Sequence, residues 1–413
     1  MSGNEAAAAV EVAAQAFAGY MPPSVAAGTR WFLDANEGKP GRFVVEALAA
    51  TDAVEAIRRY PRATALEADI EAGPGMANAG PGMANAGPGM VSAGPGMVNA
   101  RPGMVSARPG MVSAGPERLS AGPAPGIASL PAGSVLVTAG SDDAIARACR
   151  VYLGRGDRLL VFEPAFEMYA ISSRLVGAEP LGVAWPEGTG FPLGAAIDAG
   201  RRSGAKAVAV ATPANPTGTV TSPEELLELA DALPEASIWV DGAYGEFSER
   251  DTLGLILARP NILVMRTFSK AYGLAGMRLG WVAGPSARIA ALRGAGAPYP
   301  VGGLSVVAGL AARSPEGLRQ KDAFVERVKK EREDLYRLFV RLGARPAPSE
   351  ANFIMARVRS PQGVKASLAM AGIAIRVFAG RQGLEDAIRI SCPGEVEGWA
   401  ALEAALVAAK EWL

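Results

Sequence analysis

NILVMRTFSKAYGLAGMRLGW (residues 261–281) begins as an apolar run and then turns abruptly into a loop punctuated by glycine. The run predicts a strand buried on both faces, because a parallel strand covered by helices on each side reads as continuous hydrophobicity. Lys270 stands directly after it, beside Ser269, with Arg278 eight residues further on. The small residues around them let backbone pass close to a ligand. Ser269 and Arg278 can both reach a phosphate, and Lys270 can form an imine. Read alone, the stretch supports only a basic loop able to touch a phosphate.

Outward from this stretch the chain alternates strands and helices. VLVTAG (135–140) leads into a helix from Ser141 to about Leu153, and RLLVFEP (158–164) into one starting near Phe166. KAVAVAT (206–212) is followed by PANPTG and a helix opening SPEELLELADAL, with Ser222 as cap, Pro223 in the first turn and Glu225 at the capping-box position. SIWVDGAY (237–244) supplies a further strand. This alternation predicts an α/β fold with a mainly parallel sheet and helices on both faces. The order changes after about residue 305. A long amphipathic helix (about 315–342) precedes ANFIMARV, a helix at 361–371, AIRVF (374–378), AIRISC (387–392) and a terminal helix, which reads as a smaller α+β domain.

Ligands of open parallel sheets bind beyond the carboxyl ends of the strands. The polar residues at those ends are Ser141, Asn215, Asp241 and Lys270. AGSDDA (139–144) opens a helix whose free N–H groups favour an anion, or is simply capped by Ser141 or Asp142. NPTG (215–218) leaves the Asn215 amide at a turn. Asp241 emerges from an apolar strand, where a carboxylate is costly without a cationic or N–H partner, and Tyr244 follows three residues on.

Composition narrows the chemistry. The chain contains no histidine, which excludes histidine triads, histidine metal ligands and imidazole bases. Cys149 and Cys392 are too few for a thiolate metal site and suggest a reducing compartment. Lys plus Arg equals Asp plus Glu at 41 each, so no basic excess points to nucleic acid or an anionic membrane. No apolar run is long enough to span a bilayer. Residues 1–20 are Ala-rich without a basic leader region and read as a helix, making the cytoplasm the default location. Between 72 and 126, six near-identical heptads such as GPGMANA and RPGMVSA carry Pro and Gly in every unit. These residues cost roughly 3 and 1 kcal/mol inside a helix, so the tract reads as a flexible insertion and not a coiled coil.

The chain resembles the class I/II aminotransferases, pyridoxal-phosphate enzymes of fold type I, and most closely the histidinol-phosphate aminotransferases. LDANEGKPG (33–41), RYP (59–61), TAGSDDAI (138–145), EPAFEMY (163–169), NPTG, VDGAY (240–244), TFSKAYGLAGMRLGW, APYP (297–300), SEANFI (349–354) and AIRIS (387–391) carry the resemblance. It implies a seven-stranded-type sheet as in aspartate aminotransferase, with a smaller α+β domain. The implied layout is an N-terminal arm over 1–45, a large cofactor domain over 46–304 containing the repeats, and a small domain over 305–413. Lys270 would then anchor the cofactor covalently and Asp241 pair with its ring nitrogen. Tyr244 and Asn215 would bond its phenolic oxygen, and Phe166 would stack on the ring where the family usually has tyrosine. Ser141, Asp142, Ser269 and Arg278 would hold the phosphate, with Tyr60 coming from the other subunit of a homodimer. Arg389 would clamp the acidic group of the substrate, and Asn36 and Tyr299 would line its pocket.

The activity so implied is transfer of an amino group to a 2-oxo acid such as 2-oxoglutarate, with L-histidinol phosphate the leading donor. Alternatives are decarboxylation of a phosphorylated amino acid, transamination of another amino acid such as an aromatic one, and, last, a non-catalytic interaction protein. Where the family continues AIRIS with a Val-Gly-Thr-like turn, this chain has Cys392-Pro393-Gly394, and LDANEGKPG departs from the usual Asn-Glu-Asn-Pro.

Overall fold

The computed structural model describes residues 27–73, 129–250 and 252–413; the helix read in residues 1–20 and the heptad repeats lie outside them. Seven strands form the main sheet: β1 (Val135–Thr138), β2 (Arg158–Glu163), β3 (Glu179–Ala184), β4 (Ala207–Ala211), β5 (Ser237–Asp241), β6 (Ile262–Thr267) and β7 (Gly280–Ala283). Their spatial order is β1-β7-β6-β5-β4-β2-β3, with β7 antiparallel to both neighbours and the other pairings parallel.

The apolar runs sort by residue parity onto the two faces. Leu160, Val208, Val210, Val240 and Val264 pack on one side with Leu226 and Leu229 of the helix after β4. Leu159, Val161, Trp239, Leu263 and Met265 pack on the other with Ile145 and Ala148 of helix α1 (α1, Ser141–Tyr152; α2, Pro223–Ala232). Helix α2 starts as the sequence specifies: the Ser222 side chain accepts from the Glu225 N–H, and Glu225 accepts from the Ser222 N–H.

The carboxyl-terminal sheet is antiparallel and contains β8 (Arg345–Pro346), β9 (Phe353–Arg357), β10 (Arg376–Val377) and β11 (Ala387–Ser391), in the order β10-β11-β9-β8. Helix α3 (Pro315–Leu342) packs against it through Val325, Val328, Leu335, Leu338 and Phe339. AIRVF does not form one strand. Ile373–Ala374 pairs in parallel with Trp31–Phe32, while Arg376–Val377 turns to join β11, because two different partners claim its two halves.

The turn after β11 is fixed from α3. The Glu331 carboxylate, 7% exposed, accepts the Gly394 N–H at 2.7 Å. Burial pushes this carboxyl up to about 7 from 4.5, with Glu395 and Asp334 adding to the rise and Gly394 N–H and Arg327 opposing it. The folded chain therefore binds this proton more tightly than the unfolded one, and the group's contribution to stability falls as pH rises from about 4.5 through about 7. Glu331→Gln keeps an acceptor for Gly394 and has no charge to desolvate. Its melting temperature is expected to exceed wild type at pH 8 and the difference to shrink toward pH 5; equal gains at both values would contradict the assignment.

Candidate active site

The loop after β6 brings Lys270 to the carboxyl end of the sheet, as the strand reading requires. Two glycines make the approach possible. A side chain on Gly38 would put its Cβ 1.8 Å from the Lys270 carbonyl oxygen, and one on Gly273, at φ +66°, would lie 2.1 Å from the Lys39 carbonyl carbon. The Asn36–Pro40 arm and the lysine loop thus meet backbone to backbone. The Lys270 Nζ donates to the Ala35 carbonyl at 2.9 Å. Burial, and after it the nearby Arg389 guanidinium, bring this amine down to about 8.

Lys270 opens into a cavity of about 530 Å³ also lined by Ser141, Asp142, Phe166, Asn215, Asp241, Tyr244, Ser269, Arg278, Asn36 and Arg389. All but two of the site residues named from the sequence are brought together here. Asp241 is 5% exposed at the end of β5 and accepts the Ala243 N–H at 3.0 Å on Oδ1. Burial pushes its carboxyl above the ordinary range, while hydrogen bonds from Tyr169 and Ala243 oppose the rise.

Helix α1 begins after Gly140 with no side-chain cap, so neither Ser141 nor Asp142 takes the capping role that was the ordinary alternative. Its first-turn N–H groups carry positive partial charge at the cavity wall. Arg278, at φ +47°, donates to Asp142 at 3.0 Å, and Ser269 is fixed by a 2.9 Å bond from the Thr267 hydroxyl.

Arg389 is on β11. It donates to Asn215 Oδ1 at 2.5 Å and to the Asp34 carbonyl at 2.7 Å, and lies 5.2 Å from the Phe353 ring centre. Asn36 also lines the cavity, but its amide is engaged within the protein: Nδ2 donates to the Tyr244 hydroxyl at 3.0 Å and Oδ1 accepts from Ser391 at 2.9 Å. Tyr299 is not brought to the cavity. It stacks on Tyr60 with ring centres 4.7 Å apart, both rings at least half exposed, and Tyr60 borders a separate groove with Gly302–Leu304.

The sequence reading missed Arg376, Phe378 and Arg381, which line the same cavity. Arg376 is the cross-strand partner of Arg389. Arg381 holds Glu167 at 3.2 Å and the Ala165 carbonyl, tying the carboxyl-terminal part of the chain to the segment that carries Phe166. The signal for Arg376 was its place in AIRVF, thirteen residues before Arg389 in a similar AIR context.

These donors fit pyridoxal phosphate. An amine, a buried carboxylate, a phenol, an amide and an aromatic face converge with an uncapped helix start, a hydroxyl and an arginine, which are the groups its aldehyde, ring and phosphate call for.

The family model for aminotransferase class I and II matches residues 119–398. The histidinol-phosphate aminotransferase of Symbiobacterium thermophilum is 38% identical over 267 residues, covering 64% of this chain and 73% of that protein. The corresponding enzyme of Ruegeria sp. is 38% identical over 276 residues, covering 64% and 74%. In fold, the chain resembles the crystal structure of histidinol-phosphate aminotransferase from Sinorhizobium meliloti in complex with pyridoxal-5'-phosphate, with TM-score 0.71, 20% identity and coverage of 93% and 91%. An aminotransferase structure from Mycobacterium tuberculosis matches with TM-score 0.70, 22% identity and coverage of 92% of each chain. With that match, the chain belongs to the class I and II aminotransferases and is a pyridoxal-phosphate-dependent transaminase.

Proposed function

We propose that the enzyme transfers the amino group of L-histidinol phosphate to a 2-oxo acid such as 2-oxoglutarate. The observation that carries this reading is the pair Arg376 and Arg389, cross-strand partners that both line the cavity of Lys270. Fork-shaped guanidinium donors suit a phosphate or a planar carboxylate; the amino donor brings a phosphate and the 2-oxo acid brings carboxylates. The relatives named as histidinol-phosphate aminotransferases agree with it.

When bound, the cofactor supplies an electron sink for the carbanion left as the substrate Cα loses its proton. Lys270 takes that proton on Nζ and returns it, its amine near 8 being suited to both directions at neutral pH. Asp241 holds the proton of the ring nitrogen, since an adjacent opposite charge favours the charged form. Tyr244 and Asn215 orient the phenolic oxygen, and Phe166 covers the ring. The α1 start at Ser141 and Asp142, with Ser269 and Arg278, holds the phosphate. We take residues 46–304 as the large domain and 305–413 as the small one, working as a homodimer in which the outward Tyr60 serves the partner's site.

Arg389→Ala is expected to lower kcat/KM for the phosphorylated donor by about 2–5 kcal/mol, roughly 30- to 4,000-fold, because a buried charged partner is removed. The donor panel tests the substrate. L-Histidinol phosphate should exceed L-histidinol by at least about 10²-fold in kcat/KM, since the smaller donor lacks the anion that the two guanidinium groups would bind. Carbon dioxide release from O-phospho-L-threonine with no need for an acceptor would instead make the enzyme a decarboxylase.

A further inference from the structure

Tyr169 has no role in the site so far. It is 2% exposed on the helix Glu167–Leu175, and its hydroxyl donates to Asp241 Oδ2 at 2.6 Å. The other carboxylate oxygen takes the Ala243 N–H. Two ionised oxygens offer about four acceptor positions, so both bonds can persist while Asp241 accepts a third donor from the cavity. Phe166, the N-cap of the same helix, meets the Tyr169 ring edge-on at 5.9 Å and 89°. One short helix therefore carries both the ring expected to cover the cofactor and the donor to the carboxylate beneath it.

We propose that Tyr169 is a positioning residue for Asp241: its phenol fixes the carboxylate's rotation and biases the shared proton toward the cofactor's ring nitrogen. The proposal rests on Asp241 facing that nitrogen. A donor to the ionised carboxylate favours the ionised form, whereas burial alone favours the neutral acid. The other charged groups acting on Asp241 oppose each other: Asp142 raises its proton affinity and Arg266 lowers it. The phenol cannot reverse roles, because burial and Asp241 itself push its own ionisation well above the ordinary tyrosine range. It remains a donor at every working pH. Without it, Asp241 becomes more basic, draws the shared proton from the ring and weakens the electron sink.

Tyr169→Phe removes one oxygen and keeps the ring. The pH midpoint of the loaded enzyme's visible absorbance is expected to rise by about one unit, and cofactor dissociation to increase roughly tenfold, because the ring loses positive charge. Replacing Tyr169 with 3-fluorotyrosine, a stronger donor of the same shape, should move the midpoint the opposite way. In the Asp241→Asn background, Tyr169→Phe should add no further shift, since the phenol acts only through the carboxylate. An unchanged midpoint in Tyr169→Phe, an upward or absent shift with fluorotyrosine, or full additivity with Asp241→Asn would each overturn the proposal. If Asp241→Asn alone left the midpoint unmoved, the assignment of Asp241 to the ring nitrogen would fall, and this role with it.

Discussion

Lys270→Ala is expected to lower kcat by at least about 10³-fold, because one substitution removes the residue proposed as both covalent nucleophile and proton carrier. The cofactor should still bind through the helix start, Ser269 and Arg278, so the variant retains it non-covalently. Small primary amines added to the variant should restore part of the proton transfer, while Lys270→Arg, cationic at every working pH, should not. The wild-type lysine also predicts a pH dependence. Only the neutral amine can attack the aldehyde of incoming cofactor. With the amine near 8 in place of 10.5, about a quarter is neutral at pH 7.5, against roughly one part in a thousand. Loading of the cofactor-free enzyme should thus accelerate with rising pH and level off above about 8. Arg389→Ala removes a cation that holds Lys270 down, and should move that midpoint upward. Residual turnover above a tenth of wild type in Lys270→Ala would rule out the assigned role.

The second large effect is that of Asp241→Asn. Loss of the carboxylate removes the proposed charge partner of the ring nitrogen, worth about 1–3 pKa units, leaving roughly 10- to 10³-fold less of the protonated ring. The fall should appear in kcat and kcat/KM together, because the carboxylate stabilises charge that develops during reaction. Stability should move differently. Asp241 is buried and its carboxyl is pushed upward, so the neutral amide is expected to leave the melting temperature unchanged or higher. Lower activity with a preserved or raised melting temperature separates a chemical role from a structural one; a parallel loss of both would favour the structural one.

Much of this site was legible because strand ends are marked in the sequence by where apolar runs stop. The runs Ala207–Ala211 in β4, Ile238–Val240 in β5 and Ile262–Met265 in β6 are apolar throughout, so Asp241 and Lys270 stand out beyond where those runs stop. What remained hidden depends on pairing between distant segments. Arg376 gains meaning only from its register with Arg389, and the division of AIRVF only from the competing partner Trp31–Phe32. Tyr169 was visible as part of EPAFEMY, yet nothing in its spacing says that its hydroxyl meets Asp241, seventy-two residues away. Asn36 was read as a pocket residue and does border the cavity, but its amide holds Tyr244 and Ser391, which no motif encodes.

This cavity is expected to hold pyridoxal phosphate on Lys270. That expectation is tested most directly by reducing the loaded enzyme with borohydride and mapping the modified peptide. Stoichiometric labelling is expected at Lys270 in RTFSKAYGLAGMRLGW, abolished when L-histidinol phosphate is added first and restored by 2-oxoglutarate. Labelling at another lysine, or a loaded enzyme with no reducible link, would contradict it.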